Sequence, residues 1–318
     1  MTKKVYRVRN WKDYNKSLVK RGSITFWFSP EAVNAWNAPK SHQQQRGRQR
    51  YYGDAAILTA LTLRQLFRLP LRAAEGLVIS LLQLMKLKLV APNYSTLCRR
   101  AKTLAISLGV NRTEKARHVL VDATGVQVIG EGEWKKLRHG ETRCQVWKKL
   151  HITMDADNQT ILSAEITESV RLDGNYLAGL LDKIEGPIGQ ISGDGAYDKK
   201  PCYQAIYARG AKATIPPQHN ACVQRNKFKK EAALIVRDEL ITYLGRGEDR
   251  KEKLKLWKEE NNYHRRSLIE TMMSRMKTIF GDRMRARSSE NQRTDLLIRC
   301  YAMNKINGLG LPKSEVID

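Results

Sequence analysis

Apolar residues recur along this chain with two different periods, and the change falls near residue 115. Before it the spacing is helical. AAILTALTLRQLF, after Asp54, reads as one helix that Asp54 could cap and Pro70 stops. A second runs from Leu71 to about Leu89, apolar at Leu77, Leu81, Leu82, Leu84 and Met85. In APNYSTLCRRAKTLAISLGV (91–110), Pro92-Asn93 reads as a turn and Ser95 as the N-cap of a further helix, with Arg99, Arg100 and Lys102 near its start. A helix, a short turn and a basic second helix outline a helix-turn-helix, whose second helix enters the major groove. An ordinary αα-hairpin with solvated basic residues has the same outline. Residues 1–53 read as irregular, with aromatic side chains around the turn at Arg21-Gly22-Ser23, and SHQQQRGRQR (41–50) reads as an arm or linker.

From Arg117 the pattern becomes strand-like. HVLVDATGVQVI (118–129), VWKKLHITMDA (146–156) and TILSAEITE (160–168) are three strands, with a short turn from Asp155 to Gln159. Asp173 is placed to cap a helix in NYLAGLLDKI (175–184). A strand in IGQISGD (188–194), a helix in KKPCYQAIYARG (199–210) and a strand in AKATIPP (211–217) follow. The order β-β-β-α-β-α-β predicts an α/β fold whose mixed sheet is built from hairpins first and crossovers second, with flanking helices. Residues 225–262 are dense in charge and predict a helical insertion, and a last helix spans Asn291–Asn307. Two domains result: a mainly helical one over 1–114 and an α/β one over 115–318.

Charge identifies the partner class. The chain has 318 residues and a formal net charge of +25, and residues 1–114 hold 21 Lys+Arg against 5 Asp+Glu. Such a surface self-repels unless it meets a polyanion, and nucleic acid is the natural one. A membrane surface would want an amphipathic basic helix, and none is found. No apolar run nears the roughly 20 residues that span a bilayer, and MTKKVYRVRN has no apolar segment after it, so a cytoplasmic, nucleoid-associated protein is expected. The five cysteines are scattered singly, without the paired spacing of a zinc site.

Three acids stand out by position. Asp122 comes late in the first strand run, Asp194 ends the fourth strand, and Glu270 sits in a helix after the insertion. If the first and fourth strands are neighbours, the two aspartates fall side by side, and a helix packed across them could deliver Glu270. Three converging carboxylates suit Mg²⁺, and two such ions about 4 Å apart promote phosphodiester cleavage. On a helix begun at Tyr263, the residues Tyr263, Arg266, Glu270 and Lys277 share an arc of about 60°, beside an apolar face of Ile269, Met272, Met273, Met276, Ile279 and Phe280. A solvated face with Arg266 and Glu270 paired four apart would look the same. Asp198 reads as a helix cap, Asp155 and Asp157 as turn residues, and Trp134, Trp147 and Trp257 as packing residues. Gly193 and Gly195 read as giving backbone and DNA close access to Asp194.

The run YHRRSLIETMMSRMK matches Tyr-x2-Arg-x3-Glu-x6-Lys without gaps at Tyr263, Arg266, Glu270 and Lys277. With VDATGV around Asp122, SGDGAYD around Asp194, RGSITFW and PNYSTLCRR, it resembles bacterial insertion-sequence transposases with a DDE triad, most closely the insertion-sequence-five family. The resemblance spans about residues 10 to 305. It implies a ribonuclease H-like catalytic core after a mainly helical DNA-binding region, with Asp122, Asp194 and Glu270 holding two Mg²⁺ ions that Mn²⁺ could replace. It also implies that Arg266 and Lys277 contact transposon-end DNA, and that Tyr263 packs near the same strand. Such enzymes cut double-stranded DNA at terminal inverted repeats, join the freed 3′-hydroxyl to target DNA, and pair two ends in a homodimer or higher oligomer. A structure-selective nuclease on the same fold, or a non-catalytic repressor using Arg99, Arg100 and Lys102, are the alternatives.

Overall fold

The structure, a computed structural model of the chain, describes residues 5–39, 50–128, 147–168, 173–224 and 231–317. Residues 41–49 of the predicted arm (41–50), Trp134 and Cys144 lie outside the described residues. The chain divides into two compact units.

The first unit lies within Met1–Ser107, Val128–Arg143 and Thr278–Asp318, so the C-terminal segment folds with the N-terminal one. Residues 5–39, expected to be irregular, instead form the strand β1 (Val5–Val8) and the helices α1 (Trp11–Arg21), α2 (Ile24–Trp27) and α3 (Pro30–Asn34). Helices α2 and α3 span barely one turn, too short for a periodicity to accumulate, whereas α1 spans three turns and its Trp11, Tyr14 and Leu18 recur at helical spacing. Then come α4 (Asp54–Leu66), α5 (Leu71–Leu84) and α6 (Tyr94–Ala101). Asp54 does not cap α4; it is the first helical residue, and its carboxylate pairs with Arg100. Nor is Ser95 the cap of α6. Asn93 accepts the Thr96 amide at 2.8 Å, which starts the helix earlier and puts Arg99 and Arg100 in its last turn.

Buried Ala56, Ile57, Ala60, Leu61 and Leu63 on α4 meet a later helix, α12 (Ser289–Gly308), whose Leu296, Ile298, Ala302 and Met303 are also buried. Arg64 and Asp295 pair inside that contact at 2.8 Å. The unit also holds β7 (Arg283–Met284) and β8 (Ser314–Ile317), the latter antiparallel to β1.

The second unit lies within Leu108–Gln127 and Cys144–Lys277. Its strands are β2 (Arg117–Val128), β3 (Trp147–Asp155), β4 (Ile161–Glu168), β5 (Ile188–Ser192) and β6 (Lys212–Thr214), in the spatial order β4-β3-β2-β5-β6. The β4-β3-β2 pairs are antiparallel and the β2-β5-β6 pairs parallel. That is the ribonuclease H-like arrangement. Two crossover helices, α7 (Leu177–Asp182) and α8 (Lys200–Ala208), cover one face. There Val119, Val121, Ile191, Leu177, Leu181 and Ile206 build a core. A 3-10 turn at Asp173–Tyr176 precedes α7, and Asp173 does not cap it: its carboxylate is drawn to Lys149 at 2.7 Å.

The predicted insertion forms α9 (Ala232–Leu244) and α10 (Arg250–Glu260), with 225–230 outside the described residues. A 3-10 turn, Tyr263–Arg266, then leads into α11 (Ser267–Phe280), so the helix expected to begin at Tyr263 begins four residues later. Asn262, in the left-handed region at φ 52°, sets this break.

Candidate active site

The sheet register places the first two acids. Leu120 on β2 lies beside Ser192 on β5 in a parallel pair, and Asp122 and Asp194 each stand two residues further on. Asp122 is mid-strand rather than late in it, opposite Ile152 of β3. Asp194 lies beyond β5, where its Oδ1 accepts the Ala196 amide at 2.9 Å and so caps the 3-10 turn Gly195–Tyr197. Gly193 has a packing reason of its own: a Cβ there would come within 3.0 Å of the Tyr197 ring and of Val121.

The turn before α11 delivers Arg266. Its Nη1 donates to Asp122 Oδ2 at 3.3 Å, and its Nη2 donates to Glu270 Oε1 one helical turn on. Asp122 also accepts its neighbour Ala123's amide at 2.8 Å. Burial pushes the Asp122 carboxyl up to about 6; the Ala123 amide and Arg266 pull it down, and the charges of Asp194 and Glu270 raise it further. Asp194 and Glu270 therefore both act electrostatically on Asp122, and one guanidinium bridges Asp122 and Glu270. Ile269, Met272, Met273 and Met276 are buried and hold α11 in place.

Tyr263 is half-buried, which raises its hydroxyl's pKa above the ordinary value. Its ring lies 6.0 Å from the Arg266 guanidinium and 5.3 Å from Lys258 Nζ, with Trp257 tilted beside it at 6.1 Å. Lys277 lies seven residues past Glu270, about 10 Å along the helix and on the same face. It has no ion-pair partner among the described residues.

The donor set suits a hard divalent cation, being all carboxylate, and a cation would offset both the burial that chiefly lifts Asp122 and the added charge of Asp194 and Glu270. Asp122 and Asp194 stand at matching positions on neighbouring strands. Glu270 is engaged by Arg266, and among the described residues no three His, Cys, Asp or Glu side chains close around a single point.

The other candidates lie in the first unit. Arg99 is exposed and, with Arg50, Tyr51, Asn93 and Thr96, lines a cavity of about 960 Å³. Arg100 is occupied by the Asp54 carboxylate and the Tyr52 carbonyl. Lys102 is exposed just past α6.

Two connections carry no signal in the sequence pattern. Asp198 does not cap α8: its buried carboxylate accepts from Arg237 of α9, from the Tyr203 hydroxyl and from the Gln218 amide. His118 shares a 2.8 Å hydrogen bond with Ser192 across β2 and β5. Asp157 is more than a turn residue, pairing with Lys115 at 3.2 Å and Arg265 at 2.6 Å.

Two family models, each described as a transposase DDE domain, match this chain over residues 19–131 and 113–305. Among solved structures it is similar to the piggyBac transposase of a synaptic complex with hairpin DNA. That match has 11% identity and a TM-score of 0.41, and covers 96% of this chain and 76% of that one.

Proposed function

The chain belongs to the DDE transposase family, a class of metal-dependent DNA-cleaving enzymes, and we propose that Asp122, Asp194 and Glu270 are its catalytic carboxylates. The observation that carries this is the register: neighbouring parallel strands put Asp122 and Asp194 at one height, and Arg266 ties Asp122 to Glu270. The substrate is double-stranded DNA at the terminal inverted repeats of an insertion sequence, and the products are a free 3′-hydroxyl and its junction with target DNA.

Two Mg²⁺ ions, which Mn²⁺ could replace, would supply activation of the attacking oxygen and neutralisation of the leaving one. The chain's own residues do the rest. Asp122 and Asp194 are pre-set ligands on strand and turn. Arg266 holds Glu270 near them, and Glu270 would complete the ligand set for the cation, with the guanidinium beside the phosphate of the scissile strand. Tyr263 supports that guanidinium from its ring face, and Lys277 reaches the transposon-end strand one step further along α11. This division fits phosphoryl transfer, where positioning and charge neutralisation supply the catalysis.

The first unit reads the inverted repeat. Its basic excess supplies attraction to the phosphates, with Arg99 and Lys102 as contacts and Arg100 fixing α6 through Asp54 and Tyr52. Pairing two DNA ends calls for a homodimer or larger assembly on DNA. No helix among the described residues is long and apolar enough to cross a membrane, and the proposed site of action is the nucleoid.

The test is cleavage of the DNA that flanks this reading frame, incubated with purified protein and Mg²⁺, with EDTA as control and the cuts mapped. Cuts at the tips of a pair of inverted repeats are expected. Cuts scattered without regard to repeats would favour a structure-selective nuclease, and binding without cleavage a repressor.

A further inference from the structure

The inserted helix α9 reaches the turn that carries Asp194 through one side chain. Asp194 and Asp198 are the two ends of the same 3-10 turn, closed by the Tyr197 amide on the Asp194 carbonyl (3.1 Å) and the Asp198 amide on the Gly195 carbonyl (3.2 Å). Asp198 is buried, its side chain 1% exposed, and it accepts four hydrogen bonds. Two come from Arg237, Nε at 2.6 Å and Nη2 at 3.2 Å; the others come from the Tyr203 hydroxyl at 3.2 Å and the Gln218 amide at 2.9 Å. Gln218 then returns to the turn, its Nε2 donating to the Gly195 carbonyl at 3.1 Å. Arg237 Nη1 donates to the Cys222 carbonyl at 3.0 Å, and Gln224 bonds Asp238 on the same helix, so Cys222 and Gln224 of the segment after β6 are also tied to α9.

A carboxylate taken this far out of water is a poor source of stability, because its desolvation offsets the ion pair. What a fork held by two of its nitrogens does supply is direction: it fixes both oxygens of Asp198, and through them the far end of the turn. We propose that Arg237 is a positioning residue for the active site, clamping Asp198 so that the turn presents Asp194 at a fixed height beside Asp122. This rests on the reading of Asp194 as a catalytic carboxylate. It also gives the charged insertion a role: α9 is a brace against the back of the turn, and a shift of α9 would be felt at Asp194 before any other acid.

The test uses the full chain with Arg237→Ala, Arg237→Lys, Val236→Ala (an exposed neighbour on α9) and Asp194→Asn. Hydrogen–deuterium exchange is followed without metal or DNA, and cleavage of inverted-repeat DNA is then followed against Mg²⁺ concentration. In Arg237→Ala, amides 194–198 are expected to exchange about ten-fold faster or more, with β2 and β3 protected as before. Its cleavage should need several-fold more Mg²⁺ at unchanged DNA affinity. Arg237→Lys should recover part of both, and Val236→Ala should match the unaltered protein.

Unchanged exchange at 194–198, or acceleration spread evenly over the sheet, would overturn the proposal. So would an unchanged Mg²⁺ requirement in Arg237→Ala alongside an Asp194→Asn variant that no longer cuts. If Arg237→Ala does not fold, Arg237→Lys decides: faster exchange confined to the turn supports the clamp, and exchange like the unaltered protein refutes it. Cleavage by Asp194→Asn at the normal rate would instead overturn the parent reading of the triad, and with it a catalytic role for the clamp.

Discussion

Arg266 sits between Asp122 and Glu270 and offsets the repulsion that would otherwise push their carboxylates apart. Replacing it with Ala removes both that restraint and a cation near the scissile phosphate. Single-turnover cleavage is expected to fall about 10²–10³-fold, and a loss of only a few-fold would assign Arg266 to packing. A second residue sets a pH dependence. Burial pushes His118 down to about 4 from an ordinary 6.5, so between those values the unfolded chain binds a proton that the folded chain refuses. His118 therefore favours the fold above about 6.5, and that contribution is lost as pH falls toward 4. Asp122 has the opposite sign, since its folded form binds a proton first, so the comparison must be with His118→Gln. The unaltered protein's thermal midpoint should fall more steeply from pH 6.5 to 4 than the variant's; parallel curves would contradict this. The proposed triad and the Tyr-Arg-Glu-Lys series stand out in the sequence because their spacing is short-range or matches a known signature. Arg237 and Asp198 do not, since they lie 39 positions apart in the chain with α8 and β6 between them.

Among the elements, most helices and strands from α4 onward were legible in the pattern, though α1 was not expected and α5 stops five residues before Leu89; other errors fall where one side chain decides a boundary. Asn93 rather than Ser95 starts α6, so the basic residues predicted near the beginning of a recognition helix occupy its end. The left-handed Asn262 and a 3-10 turn displace the start of α11, yet Arg266 and Glu270 still meet because they are four apart. The pairing of β1 with β8 joins segments some 300 residues apart, which no local pattern encodes. Between α4 and α12, Arg64 and Asp295 form a pair with side chains 9% and 4% exposed. Removing one partner leaves the other charged and buried, so Arg64→Ala should destabilise the first unit by about 3–5 kcal/mol in denaturant unfolding. A change below about 1 kcal/mol would show that water reaches Asp295.

For the molecule as a whole, charge and chemistry are separated along the chain: the basic excess is concentrated in residues 1–114, while the three acids lie in the second unit. Division by sequence period located the change from helices to strands, but not the return of 278–318 to the first unit, since a helix carries no mark of the unit it packs on. With so much positive charge in the first third, DNA affinity should fall steeply with salt, by a slope near −0.9 in log K for each phosphate neutralised. A slope shallower than about −3 would leave too few contacts for that surface to be the reader. The central claim, that three carboxylates drawn together by register and by Arg266 cut DNA, is tested most directly by separating binding from cleavage. Asp122→Asn, Asp194→Asn and Glu270→Gln would each be measured for affinity to the inverted repeat and for Mg²⁺-dependent cutting of it. All three should bind at least as tightly as the unaltered protein and fail to cut; any one of them cutting at the normal rate would contradict the assignment.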